Sequence, residues 1–186
     1  MFDCPSCDTT LFREGDALAP IGNHGEMHET PMLVGIGDTL HPPGRSPYTV
    51  LGHVRYDYGL GFWDEMWAET AEGHGAWISV DEGDVVIQRA LDEGQVRAGL
   101  MDRLSLGAQL RVEDAVYTVT EMDAATATAF RGELPERIEL GEAHRFVNAS
   151  GEDGTLLSGE VWEGGERWFT GAWLDPFDLK VERQTG

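Results

Sequence analysis

The sequence predicts a mainly β protein, made of two related antiparallel β units packed as one domain with few helices. Three observations predict it. Strand-period alternation recurs along most of the chain, between breaks rich in glycine, proline and aspartate. Only residues 90–104 carry helical spacing, through Leu91, Val96, Leu100 and Leu104, and Gly94 and Gly99 weaken it. Four landmarks of the first half also return in the same order in the second half.

Taken in order, residues 1–32 differ from the rest. Cys4-Pro-Ser-Cys7 sets two thiols on one side of a tight knuckle, half of a structural zinc site. His24 and His28 complete a C-x2-C-x16-H-x3-H spacing, so the expected ligand set is Cys4, Cys7, His24 and His28 and the expected cofactor is zinc. Pro20 to Pro31 reads as an irregular linker.

The first β unit spans 33–89. Tyr48 to Tyr58 alternates as a strand, Phe62 to Glu69 forms the next, Glu72 to Gly75 turns the chain, and Ala76 to Val80 and Val85 to Arg89 follow. Residues 90–104 read as a linker with at most a helical turn. The second unit spans 105–182. Its expected strands are Gln109–Val112, Ala115–Met122, Thr126–Arg131, Arg145–Asn148, Thr155–Trp162, Glu166–Ala172 and Asp178–Glu182.

The repeated landmarks are Gly37-x-x-Leu40 with Gly107-x-x-Leu110, Tyr48-Thr49-Val50 with Tyr117-Thr118-Val119, Glu65-Met66-Trp67 with Glu160-Val161-Trp162, and Ala76-Trp77-Ile78 with Ala172-Trp173-Leu174. The second copy carries an insertion over about Ala127 to Thr155. Each unit has too little area to bury both faces, so the two are expected to pack together. Tandem SH3-like small barrels are the alternative, because G-x-x-L followed by Y-x-V also opens many such barrels.

The chain carries 34 Asp and Glu against 13 Lys and Arg, a formal charge of −21. That field repels phosphate backbones and anionic lipid, excluding nucleic acid and disfavouring membranes. It suits a basic protein surface, a metal or a polyamine. No apolar run is long enough to span a bilayer, and the N-terminus lacks the pattern of a secretory leader, so a cytoplasmic location is expected.

All six tryptophans fall on expected strands, where core filling is their ordinary use. Indole faces also attract ammonium groups. Trp63, Glu65, Trp67, Trp77, Glu160, Trp162 and Trp173 are therefore the candidate residues for a cationic ligand. No nucleophile elbow, P-loop, dinucleotide-binding glycine pattern or H-E-x-x-H is present. Asp64 and Glu65 are neighbours on one strand and must face opposite ways, so they cannot act as a carboxylate pair. Glu133 and Glu136 flank a loop proline and read as solvated; His53, His74 and His144 read as surface or hydrogen-bonded core.

Gly37-Asp38-Thr39, Tyr48 to Tyr56, Trp63-Asp64-Glu65-Met66-Trp67, Ala76-Trp77-Ile78, Tyr117-Thr118-Val119 and Gly132-Glu133-Leu134-Pro135 together resemble the bacterial domain of unknown function 4178 family, over about Leu33 to Val181. Many members begin with a C-P-x-C zinc ribbon carrying a second cysteine pair, which is absent here. The resemblance implies no activity and no catalytic residues. Its association with polyamine-metabolism and membrane-stress genes adds weight to a cationic ligand or a protein partner. The expected function is a non-enzymatic binding or adaptor protein engaging a basic protein surface. A metal- or polyamine-binding sensor is the second reading and an uncharacterised enzyme the third.

Overall fold

The computed structural model describes residues 2–3, 10–14, 17–22, 24–28 and 30–184. Strands β1 (Phe2–Asp3), β2 (Thr10–Glu14) and β3 (Ala17–Gly22) form a small antiparallel sheet. Pro20 to Gly22, expected in a linker, thus belong to a strand. The order β1-β2-β3 makes β3 an edge, where a proline costs no ladder bond on its open side.

Eleven further strands share one sheet: β4 (Thr39–His41), β5 (Tyr48–Asp57), β6 (Phe62–Glu69), β7 (Gly75–Asp81), β8 (Asp84–Ala90), β9 (Gln109–Val112), β10 (Ala115–Gly132), β11 (Ala143–Ser150), β12 (Thr155–Trp162), β13 (Gly165–Leu174) and β14 (Lys180–Glu182). Eight of them close on themselves in the order β5-β6-β7-β8-β13-β12-β11-β10 and back to β5, every pairing antiparallel. The molecule is built on a closed eight-stranded barrel, with β9 added beside β10, β4 beside β5 and β14 beside β4. No α-helix occurs among the described residues.

The β class holds, but the arrangement differs from two packed meanders or tandem barrels. A four-stranded meander leaves two open edges with unpaired backbone groups. Joining β8 to β13 and β5 to β10 pairs both sets at once.

The internal repeat is not confirmed. Its first two landmarks fall at like positions: Leu40 pairs with Tyr48 and Leu110 with Tyr117, and a bulge follows both Val50 and Val119. The other two do not. Glu65 and Trp67 lie on the third strand of their half, β6, whereas Glu160 and Trp162 lie on the fourth of theirs, β12. The stretch read as an insertion contains β11, a full stave of the barrel.

Strand β10 runs unbroken through what read as two strands. Bulges after Val119 and Ala127 bend it, so its first part pairs with β9 and β11 and its last part with β5. At that seam Gly52 and Gly132 face each other; a Cβ on Gly52 would lie 2.1 Å from the Glu133 carbonyl, and one on Gly132 2.3 Å from that of Leu51. Glycine is required there by close backbone approach. The β7–β8 turn holds Glu82 at φ 47° and Gly83 at φ 101°, the positive values that match a two-residue hairpin to strand twist.

Alternation along the staves sorts side chains between interior and exterior. Outside, Val50, Met66, Ile78, Val85 and Ile87 are covered by β4, β14 and Val34. A second outer core, with Tyr117, Val147, Leu157 and Trp168, is covered by β9 and by Leu91, Val96, Leu100 and Leu104 of the linker. That linker forms only one 3-10 turn, Met101–Arg103, and Gly94 and Gly99 adopt φ of 88° and 68°, which no helix accommodates. Inside, Val54, Tyr56, Trp77, Phe130 and Phe169 make the third core, and Leu134 and Ile138 of the β10–β11 loop plug one end of the barrel.

Candidate functional site

The remaining interior is polar. A cavity of about 150 Å³ is lined from β6, β7, β8, β10, β11, β12 and β13. Its mouth carries exposed Asp81, Asp84, Glu121 and Trp173, with Tyr58 beside them. Its floor carries Glu65, Gln88, Ser158 and Glu160. Glu65 is 7% exposed, Gln88 5% and Ser158 7%. The alternation that sends Met66 and Ile87 outward sends Glu65 and Gln88 inward.

Glu65 accepts a bond from the Trp63 indole Nε1 at 3.2 Å and another from Ser79. Among the described residues no cationic side chain pairs with it. Among the described residues, the Gln88 and Ser158 side chains have no hydrogen-bond partner in the protein. Both open onto the cavity, so its contents, rather than the protein, must satisfy the amide and the hydroxyl. Trp63 forms the aromatic wall: its ring stacks on Tyr56 at 5.2 Å between centroids and meets Phe146 edge-on at 5.2 Å.

Burial disfavours charge on Glu65 and lifts it to about 7, against the Trp63 bond and with help from Glu136. Burial also lifts Glu160 to about 8, with Glu65 and Glu136 adding repulsion and Arg167 opposing. Burial and the same three glutamates push the Tyr56 hydroxyl well above its ordinary value. At the mouth, burial and the nearby Glu82, Glu121 and Asp84 raise Asp81.

Glu160 also borders a second cavity of about 190 Å³ at the plugged end, with Tyr56, Glu136, His144, Trp162 and Arg167. Arg167 is ion-paired with Glu136 and lies over the Trp162 ring, 5.9 Å from its centroid. Glu136, read as a solvated loop residue, instead faces the interior, because the loop around it folds into the barrel end.

The candidate residues thus divide. Trp63, Glu65, Glu160 and Trp173 line one cavity, and Trp162 lines its neighbour. Trp67 and Trp77 pack against each other edge-on at 5.4 Å as core, the Trp67 indole donating to Glu69. Sequence reasoning passed over Gln88 and Ser158; a polar residue at an inward position among valines and leucines was the available signal.

Of the expected zinc ligands, Cys4 and Cys7 lie outside the described residues. His24 has its Nδ1 buried without a partner, whereas His28 is exposed. Among the described residues no group of three or more His, Cys, Asp or Glu could hold a metal. The segment bearing both histidines docks on the barrel wall by its backbone: the His24 carbonyl accepts from Phe130 N and Arg131, and the His28 carbonyl accepts from Arg55.

Arg55 belongs to a buried cluster on the outer face of β5 and β6. Its Nε donates to Asp64 Oδ1 at 2.8 Å and its Nη2 to Oδ2 at 3.0 Å, while His53 Nε2 meets the same Oδ1 at 2.7 Å. Burial alone would raise Asp64, but the bonds from His53 and Arg55 outweigh it and hold the carboxyl below its ordinary value.

No helix among the described residues is long and apolar enough to cross a membrane. Comparison with curated proteins and with solved structures finds no match. The profile of one family does match, over residues 35–176, which take in the whole closed barrel from β5 to β13; the chain belongs to the family described as Domain of unknown function (DUF4178).

Proposed function

We propose that this protein binds a small organic cation, an amine, inside its barrel. The ammonium sits between Glu65 and Glu160 and against the Trp63 ring. Gln88 and Ser158 bond the remaining polar groups of the ligand. The observation that carries the reading is the polar floor itself: a carboxylate 7% exposed beside an amide and a hydroxyl that have no protein partner. A cation supplies what each lacks, and an indole face adds attraction to an ammonium. The acidic mouth raises the local concentration of cations and speeds their arrival. The cavity suits a ligand of a few heavy atoms, well below drug size.

The test is a titration with putrescine and with tetramethylammonium, read by tryptophan fluorescence and thermal denaturation. Binding changes the Trp63 signal and raises Tm, and Glu65→Gln and Glu160→Gln each weaken it at least about tenfold. Unchanged fluorescence and Tm at millimolar amine sink the proposal. A basic protein partner, which the net charge of −21 also suits, would engage the exterior and bind Glu65→Gln as well as the parent.

A further inference from the structure

We infer that the barrel takes up its cation in exchange for protons, so that loading is favoured at higher pH and release at lower pH. The inference rests on the amine-binding reading and adds the ion that moves in the opposite direction.

It stands first on what surrounds the two glutamates. Five carboxylates line the upper cavity and four the lower, Glu160 being common to both, which makes eight. Two guanidiniums face them, and both are engaged: Arg167 with Glu136, and Arg137 with Glu139 at 2.9 Å. Toward Glu65 and Glu160, β5 presents the Tyr56 hydroxyl and the turn after it Tyr58, β7 presents Ser79 and Asp81, and β8 Asp84 and Gln88. From the other side β10 presents Glu121, β11 Asn148 and His144, and the β10–β11 loop Glu136. No unpaired Arg or Lys side chain from any of these elements reaches the floor.

Glu65 is buried and Glu160 half-buried in one small space whose nearest guanidinium, Arg167, is already paired with Glu136, so the two carboxylates disfavour each other's ionisation. Their neutralising charge in the empty barrel is the proton, and they titrate as a pair near neutrality. An arriving ammonium offers the same charge with more hydrogen-bond donors. The O–H bond of the protonated pair breaks and its proton passes to water at the mouth. The carboxylate so formed accepts from the ammonium N–H, and no bond within the ligand changes. Charge in the cavity is conserved, one ammonium group in for one proton out.

Calorimetry with putrescine in two buffers of different ionisation enthalpy counts the protons released. Between about pH 6 and 8 the apparent affinity should rise up to about tenfold per pH unit for each proton lost. Glu65→Gln and Glu160→Gln should flatten that slope. If putrescine binds with the same affinity across that range and with buffer-independent heat, the exchange is wrong and the binding reading survives. If it binds at no pH, both fail. A ligand-free measurement guards against variants that fail to fold: carbon-13 carboxyl NMR of glutamate-labelled parent protein. At least one glutamate should titrate above about pH 6, far from the ordinary value. Ordinary titration of every glutamate overturns the exchange whatever the calorimetry gives.

Discussion

Asp64 and Glu65 are consecutive residues on β6, and their carboxyl groups meet opposite conditions. Asp64 faces outward under the chain segment of His28 and Thr30 and receives Arg55 and His53. Glu65 faces inward and receives an indole and a hydroxyl, neither of them charged. Both are buried, at 8% and 7% exposure. One is held ionised and the other is held near the edge of protonation. The same burial that makes a paired carboxylate structural makes an unpaired one available to something that is not part of the chain.

The largest effect is expected at Asp64. Replacing it with Ala leaves Arg55 buried without its partner and should cost about 3–5 kcal/mol in urea denaturation. A loss under about 1 kcal/mol would mean that the outer cluster is as dispensable as a surface ion pair. Because Asp64 is held low, its contribution is present at neutral pH and fades only as the pH falls below the ordinary carboxyl range.

Glu65 should respond in the reverse sense. Its folded-state value lies above the unfolded one, so the folded protein keeps a proton that the unfolded chain has lost. Stability from this group is complete below about pH 4.5 and declines as pH rises through about 7. Glu65→Gln removes the decline, so the variant should be more stable than the parent at pH 8 by on the order of 2 kcal/mol. Equal stability of the two proteins at every pH would place Glu65 in contact with water or a cation.

Gln88→Leu separates affinity from stability. It should lower amine affinity by about 1 kcal/mol while leaving stability unchanged or slightly raised, since a polar group without a partner is replaced by an apolar one. A clear drop in stability would show that the amide is bonded within the fold. The smallest effect is expected at the mouth: Asp84→Asn should slow association at low salt and change stability by less than about 0.5 kcal/mol.

Much of the wall was legible in the sequence. Tyr48 to Asp57, Phe62 to Glu69 and Thr155 to Trp162 read as strands from their β-prone composition and partial alternation, and all three are strands of the barrel. Closure was not legible, because the partner of a barrel edge is set by pairing between residues far apart, and nothing in the local pattern of Gly52 names Gly132. The same limit explains β10: two bulges shift its parity, and a parity shift reads locally as the end of one strand and the start of another. Of the site, the glutamates and Trp63 were identifiable as types, since the period of two fixes which neighbours share a face. Which tryptophans were core was not, because Trp77 and Trp63 carry the same local pattern and differ only in what lies across the barrel.

The seam between β5 and β10 has a consequence for how the protein reaches its folded state. It joins residues 52–57 to residues 126–132, and each strand also has a partner close in sequence. The local hairpins can form early, whereas the seam must await a long loop closure. Until it forms, the chain is an open sheet with two bare margins on which other chains can add. The facing glycines let the two backbones approach closely enough for that last pairing, and a side chain at either would obstruct it. A Gly132→Ala chain should therefore refold slowly and aggregate during refolding, even under conditions where its early hairpins form at the ordinary rate.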